Sequence, residues 1–141
     1  MSRKSMPVKN WMTEKVIVAE KDSKFTTVRD FFLTHNIHHL PVVDGRKVIG
    51  IISSQDILKA YNEVSKEHVS VADAVMDSQW PVEKLMTANP TVVGPDDELT
   101  AAVTFMRQNK FKAVPVCENE NIVGILTNND VVKYAKLMLE D

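Results

Sequence analysis

Hydrophobic positions in this chain come in short blocks whose spacing switches between the two-residue period of strands and the 3.6-residue period of helices. An amphipathic stretch from Val8 to Met12 leads into a β-type run, Val16-Ile17-Val18. Asp22-Ser23 then reads as a helix cap, with Phe25, Val28 and Phe32 following at helical spacing. That shared face predicts a helix packed on a core. Leu40 to Val43 and Val48 to Ile52 predict two strands joined at Asp44-Gly45-Arg46, where Asp-Gly is a strong hairpin signal. A closing helix is predicted from about Gln55 past Tyr61.

The same order then returns. Val82 to Met86 leads in, Thr91-Val92-Val93 is β-type, and Asp96-Asp97 reads as a cap. Leu99, Ala102, Val103 and Met106 mark a helix face. Val114 to Cys117 and Ile122 to Leu126 predict strands around Glu118-Asn119-Glu120-Asn121, where Asn can supply a positive φ. A last helix is predicted from Asn129 to about Leu139. A single offset of 74 residues relates the copies: Pro7-Val8 recurs as Pro81-Val82, Met12-Thr13 as Met86-Thr87, and Pro41-Val42 as Pro115-Val116. One offset kept without a gap marks a tandem duplication.

The expected fold class is therefore α/β (α+β), two pseudo-symmetric strand-helix-strand-strand-helix units at residues 7–62 and 81–138. Residues 63–80 form a polar linker with a helical piece around Val71 to Met76. One unit of that size is marginal alone, whereas two can share a core.

Composition narrows the function classes. The 141 residues are 44% hydrophobic and 26% charged, ordinary for a soluble globular chain. A net charge of −2 gives no field toward nucleic acid or anionic lipid, and Arg3, Lys4 and Lys9 are too few to change that. No apolar run is long enough to span a bilayer and no signal-peptide core follows Met1, so a cytoplasmic protein with no membrane partner is expected. Cys117 is the single cysteine; within Ala113-Val114-Pro115-Val116-Cys117 it reads as a small buried hydrophobe. There is no Gly-rich phosphate loop, nucleophile elbow or zinc signature, so no catalytic residues are assigned and the chain is not expected to be an enzyme. His35, His38 and His39 lack a cysteine or carboxylate at ligand spacing, and no metal site is expected.

The chemistry concentrates in one repeated stretch, Gly50-Ile51-Ile52-Ser53-Ser54-Gln55-Asp56 and Gly124-Ile125-Leu126-Thr127-Asn128-Asn129-Asp130. Each puts a hydroxyl and a carboxylate three residues apart where a strand enters a helix. Two readings are open. Ser53 with Asp56, and Thr127 with Asp130, resemble capping boxes, with the carboxylate complementing the helix dipole. Alternatively the carboxylate accepts both vicinal hydroxyls of a ribose, while the hydroxyl and free N–H groups suit a phosphate. The roles are compatible.

In order and twice over, Met-Thr, Leu/Val-Pro-Val and Gly-Ile-aliphatic-Ser/Thr-x-x-Asp resemble a CBS-domain pair, or Bateman module, over nearly the whole chain. The resemblance implies two units packed sheet to sheet, with clefts that bind adenosine-containing ligands, AMP, ADP or ATP first and S-adenosylmethionine or NAD as alternatives. No cofactor is required; the nucleotide is a regulatory ligand. It further implies a homodimer and a separate regulated protein, since nothing is fused here. A ligand-free dimeric scaffold is the rival. Ser53, Asp56, Thr127 and Asp130 become ribose and phosphate contacts. The segments before the prolines supply base and phosphate contacts: Ile37, His38 and His39 in one copy, Phe111, Lys112 and Ala113 in the other. Val16-Ile17 and Pro90-Thr91 line the base pocket. His39 stands where the family often has arginine, and Ala113 leaves its position empty, so the two sites should be unequal. Trp11 and Trp80 are expected at a lobe or dimer interface rather than on a ligand.

Overall fold

The computed structural model describes residues 5–65 and 72–140. Each repeat centres on an antiparallel hairpin whose registers match residue for residue at the 74-residue offset. β2 (His39–Asp44) pairs with β3 (Lys47–Ser53) through Leu40↔Ile52 and Val42↔Gly50, with a bulge between Val42 and Val43. β5 (Ala113–Glu118) pairs with β6 (Asn121–Thr127) through Val114↔Leu126 and Val116↔Gly124, with a bulge between Val116 and Cys117. The β-branched and aliphatic residues of these strands supply one wall of each core.

The chain divides into two units that are not the two repeats cut at the linker. One is Ile17–Pro90; the other joins the chain up to Val16 with Thr91 onward. Each repeat's lead-in thus belongs to the unit built on the other repeat.

In the Ile17–Pro90 unit, β1 (Ala19–Glu20) runs parallel to β2, and β4 (Thr87–Ala88) pairs with β3 through Gly50↔Ala88 and Ile51↔Thr87. Four helices belong to it: α1 (Phe25–His35), α2 (Ser54–Ser65), α3 (Asp73–Gln79) and α4 (Val82–Leu85). Phe25, Val28, Leu40, Ile52, Met76 and Val82 are buried together. The other unit holds α5 (Leu99–Asn109), α6 (Asn128–Glu140) and a 3-10 turn at Val8–Asn10. Here isolated bridges replace the short strands: Val93↔Val116 parallel and Thr13↔Ile125 antiparallel, the offset partners of Ala19↔Val42 and Thr87↔Ile51. Val8, Leu99, Met106, Val114 and Leu126 form its core.

The exchange of lead-ins explains the repeated glycine. A side chain at Gly50 would overlap the Met86 sulfur, and one at Gly124 would overlap the Met12 sulfur. Only a residue without a Cβ lets the Met of Met-Thr lie across the strand.

Some sequence expectations shift. Val16-Ile17-Val18 form no strand; the ladder starts at Ala19 because β2 offers a partner for only two residues. In the second copy only Val93 of Thr91-Val92-Val93 makes a bridge. The expected caps close the preceding turns instead: Ser23 Oγ accepts the Glu20 N–H at 3.1 Å, and Asp97 Oδ2 accepts the Gly94 N–H at 2.7 Å. Lys24 and Glu98 are the residues that precede the helices, and neither makes a side-chain cap.

For α1 the missing cap comes from 51 residues away: Thr26 donates its N–H to Asp77 Oδ1 at 2.9 Å and its hydroxyl to Oδ2 at 3.1 Å. Local spacing cannot report such a partner. The expected linker helix begins at Asp73 and runs to Gln79, while Val71 lies outside the described residues. Met76 anchors it in the core, and Arg29 bridges it to α1 through Asp73 at 2.8 Å. The Arg29 guanidinium holds the Asp73 carboxyl below its usual range. Trp11 meets Tyr134 edge-on at 5.0 Å within its own unit, and Lys84 sits 4.3 Å over the Trp80 ring.

Candidate functional site

Both hydroxyl–carboxylate pairs form the reciprocal capping box that their spacing allows. Asp56 Oδ2 accepts the Ser53 N–H at 2.7 Å and the Ser53 hydroxyl at 3.0 Å, while Ser53 Oγ accepts the Asp56 N–H at 3.3 Å. Asp130 Oδ2 accepts the Thr127 N–H at 2.9 Å and its hydroxyl at 3.1 Å, and Thr127 Oγ1 accepts the Asp130 N–H at 3.4 Å. The capping reading therefore holds for both copies. It uses one carboxylate oxygen of each pair.

The second oxygens differ. Asp130 Oδ1 accepts the Thr13 hydroxyl at 3.2 Å, and the residue is 4% exposed. Asp56 is only half-buried, and among the described residues its Oδ1 receives no hydrogen bond. The counterpart of Thr13 is Thr87, which is exposed in β4. Thr13 is the site neighbour that sequence reasoning missed. Its Met-Thr recurrence was visible in the repeat, but nothing in that pattern says that the hydroxyl reaches a carboxylate 117 residues later.

The basic segments are brought beside these boxes by the hairpin register. His39 is the cross-strand partner of Ser53, and the His38 carbonyl accepts the Ser54 N–H at 3.0 Å. Ala113 is the partner of Thr127, and the Lys112 carbonyl accepts the Asn128 N–H at 3.0 Å. His38 and Lys112 are exposed, and His39 and Ala113 half-buried. The turn that delivers each segment starts with a left-handed residue closing the preceding helix: Asn36 at φ 49° and Lys110 at φ 57°. Ile37 packs toward its core, whereas Phe111 is exposed and lies 5.6 Å from the Phe105 ring.

So one unit gathers Ile37, His38, His39, Ser53 and Asp56, and the other gathers Phe111, Lys112, Ala113, Thr127 and Asp130. The proposed base-pocket residues divide at the unit boundaries. Ile17 and Pro90 belong with Ser53 and Asp56, and Val16 and Thr91 with Thr127 and Asp130. Ile17 packs against its unit's core, while Thr91 is exposed. Burial pushes the Cys117 thiol above its ordinary range, which disfavours the thiolate. Among the described residues no helix is long and apolar enough to cross a membrane.

The CBS domain family matches this chain twice, over residues 8–63 and 82–137. The chain belongs to the CBS-domain family. Both matched segments carry the hydroxyl–carboxylate box and the preceding Pro-containing strand just described. A protein of Methanocaldococcus jannaschii, MJ1225, is 27% identical over 90% of this chain and 42% of its own length. An L-aspartate semialdehyde sulfurtransferase of the same organism is 29% identical over 88% of this chain and 22% of its own. The chain thus spans less than half the length of these curated relatives. A 17.7 kDa protein of Acidianus ambivalens is 30% identical over 86% of this chain and 68% of its own length.

Among solved structures, an acetoin utilization protein (AcuB) from Vibrio cholerae superposes with a TM-score of 0.81 at 25% identity, covering 97% of this chain and 95% of that one. CBSX2, from Arabidopsis thaliana, was solved in complex with AMP; it gives 0.78 at 25% identity, covering 96% and 99%. The CBS domain pair of protein MJ0100, in complex with 5′-methylthioadenosine and S-adenosyl-L-methionine, gives 0.80 at 26% identity, covering 96% and 99%. The CBS pair and its mixed α/β repeat are thereby established for this chain.

Proposed function

We propose that this CBS pair is a regulatory module that senses an adenosine-containing ligand, with AMP, ADP or ATP ahead of S-adenosylmethionine or NAD, and signals occupancy to a separate protein. One observation carries the reading: in each unit a carboxylate at a helix start lies beside an exposed basic segment, His38 in one and Lys112 in the other. A ribose offers two vicinal hydroxyl donors, and bonds to a carboxylate contribute about 1.5–3 kcal/mol each. Asp56 would take the ribose, and so would Asp130 wherever its second oxygen is released from Thr13. Ser53, Thr127, His38, His39 and Lys112 would face the phosphate, with the positive ends of the α2 and α6 dipoles adding to the attraction. The relatives solved with AMP and with S-adenosylmethionine support this ligand class.

Signalling needs only differential affinity. A ligand that binds one arrangement of the chain better shifts the population toward it, and a partner reads the shift. The module itself supplies no catalytic step in this reading. A homodimer is part of the proposal because Leu58 on α2 and Val132 on α6, equivalent at the 74-residue offset, are both 63% exposed and offer paired apolar contacts to a second copy.

A thermal-shift panel of AMP, ADP, ATP, NAD and S-adenosylmethionine tests the sensing role. Ligand at about 100 times its Kd should stabilise the protein by about 2.7 kcal/mol. If every compound leaves the melting temperature unmoved at millimolar concentration, the rival ligand-free scaffold takes its place.

A further inference from the structure

We infer that the lead-in threonine Thr13 is an internal occupant of the second half-site, so that Asp56 is the open ribose acceptor and Asp130 is closed. The inference rests on the sensing role proposed above and concerns how many ligands each chain takes. A carboxylate reads a ribose with the oxygen lone pairs it has left. Asp130 has spent Oδ2 on its capping box and Oδ1 on the Thr13 hydroxyl, and little of the residue reaches the surface. A ligand hydroxyl there must first displace Thr13 from a buried acceptor, forfeiting one charge-assisted bond to gain another.

Thr13 does not sit there loosely. Its N–H and carbonyl both pair with Ile125, at 2.9 and 3.0 Å. Upstream, Val8 and Lys9 donate to the carbonyls of Asp97 and Pro95, each at 2.9 Å, and Leu99 donates to the Met6 carbonyl at 2.8 Å. Glu98 accepts the Ser5 hydroxyl at 2.8 Å and the Met6 N–H at 3.2 Å. A segment held at so many points delivers the hydroxyl at little entropic cost.

Asp56 meets none of this. Its Oδ2 serves the same box, but Thr87, the offset equivalent of Thr13, makes no hydrogen bond to it among the described residues. Oδ1 is thus left to accept, in a half-buried position beside the exposed His38. The duplication carries two copies of the acceptor and only one is open.

Isothermal titration calorimetry of the full chain with AMP, ATP, S-adenosylmethionine and 5′-methylthioadenosine tests this. For a ligand that binds, the expected stoichiometry is one per chain. Asp56→Asn should weaken it about tenfold or more. Thr13→Ala removes both the donor and the volume that covers Oδ1, and should raise the stoichiometry to two; adding Asp130→Asn to that variant should return it to one. A melting curve on each variant confirms that it folds. Two sites per chain in the unaltered protein overturn the inference and leave the sensing role standing. So does an unchanged single site in Asp56→Asn, or a Thr13→Ala protein that still binds once. If none of the four compounds gives heat or a thermal shift, the sensing role falls and this inference with it.

Discussion

The two units begin from the same instructions and finish with different carboxylates. Ser53-Asp56 and Thr127-Asp130 close nearly superposable capping boxes, with corresponding bonds within about 0.2 Å of each other. What separates them comes from elsewhere in the chain. The Asp130 unit receives Thr13, which spends the second oxygen, while the Asp56 unit receives α3 from the linker, with Asp77 capping α1 and Met76 filling the core. A duplicated motif therefore fixes local geometry, while the use of its second carboxylate oxygen is set by the segment that docks on it.

Core substitutions probe this comparison with the largest effect. Phe25 and Leu99 are offset equivalents, and both are fully buried. Phe25→Ala should cost about 3–5 kcal/mol and Leu99→Ala about 2–5 kcal/mol, read from urea midpoints at unchanged slope. A loss below about 1 kcal/mol at either position would mean that its core is not packed as described.

Filling the glycine contacts comes next. Gly50→Ala and Gly124→Ala each drive a methyl into the methionine of an exchanged lead-in, and each should cost about 1–3 kcal/mol. Met86→Ala removes the Met86 sulfur and should rescue Gly50→Ala. Met12→Ala should rescue Gly124→Ala only in part, because the Thr13 carbonyl still lies 3.0 Å from the added methyl. Neither should rescue the other's glycine. Cross-rescue in a double-mutant cycle would break the assignment of lead-ins to units.

A smaller effect separates the left-handed residues at the helix ends. Asn tolerates that conformation better than Lys, so Lys110→Asn should stabilise by about 0.5–1 kcal/mol, and Asn36→Lys should cost a similar amount. Thermal denaturation of the two swaps measures it, and shifts of the same sign would contradict the φ values.

The smallest effect is on acid behaviour. Among the described residues, each unit holds one carboxyl below its usual range: Glu98 through the Ser5 hydroxyl and the Met6 N–H, and Asp73 through Arg29. A depressed folded-state pKa contributes stability that is present above the unfolded value and is lost as pH falls through the folded one. Glu98→Gln should therefore lower the melting temperature slightly near neutral pH, with the difference closing below the ordinary glutamate range. Asp73→Asn should behave alike below the aspartate range. Both groups are exposed, so shifts of a few degrees or more would point to a larger structural role.

Much of this was legible in the residues. The 74-residue offset, the hairpins, the core positions Phe25, Val28, Leu99 and Met106 and both capping boxes follow from periodicity and local spacing, because strands, turns and caps are set by neighbours within a few residues. The β-type runs after the lead-ins overstate the pairing: the first ladder lies at Ala19–Glu20 beyond Val16-Ile17-Val18, and only Val93 bridges in the second copy, since so short a ladder is fixed by its partner and leaves no period of its own. Local spacing points to Asp22-Ser23 as the cap on α1, whereas Asp77 provides it across the fold.

Sequence alone determined the duplication, the family and the two hydroxyl–carboxylate pairs. Only the tertiary structure decided that each lead-in crosses to the unit of the other repeat, that Met12 and Met86 lie on the conserved-offset glycines, and that Thr13 reaches Asp130 while Thr87 leaves Asp56 alone. The physical reason is range. A hydrogen bond is decided within about 3 Å, and nothing in a local pattern says which of two identical Met-Thr segments will arrive there with its hydroxyl turned toward the acid.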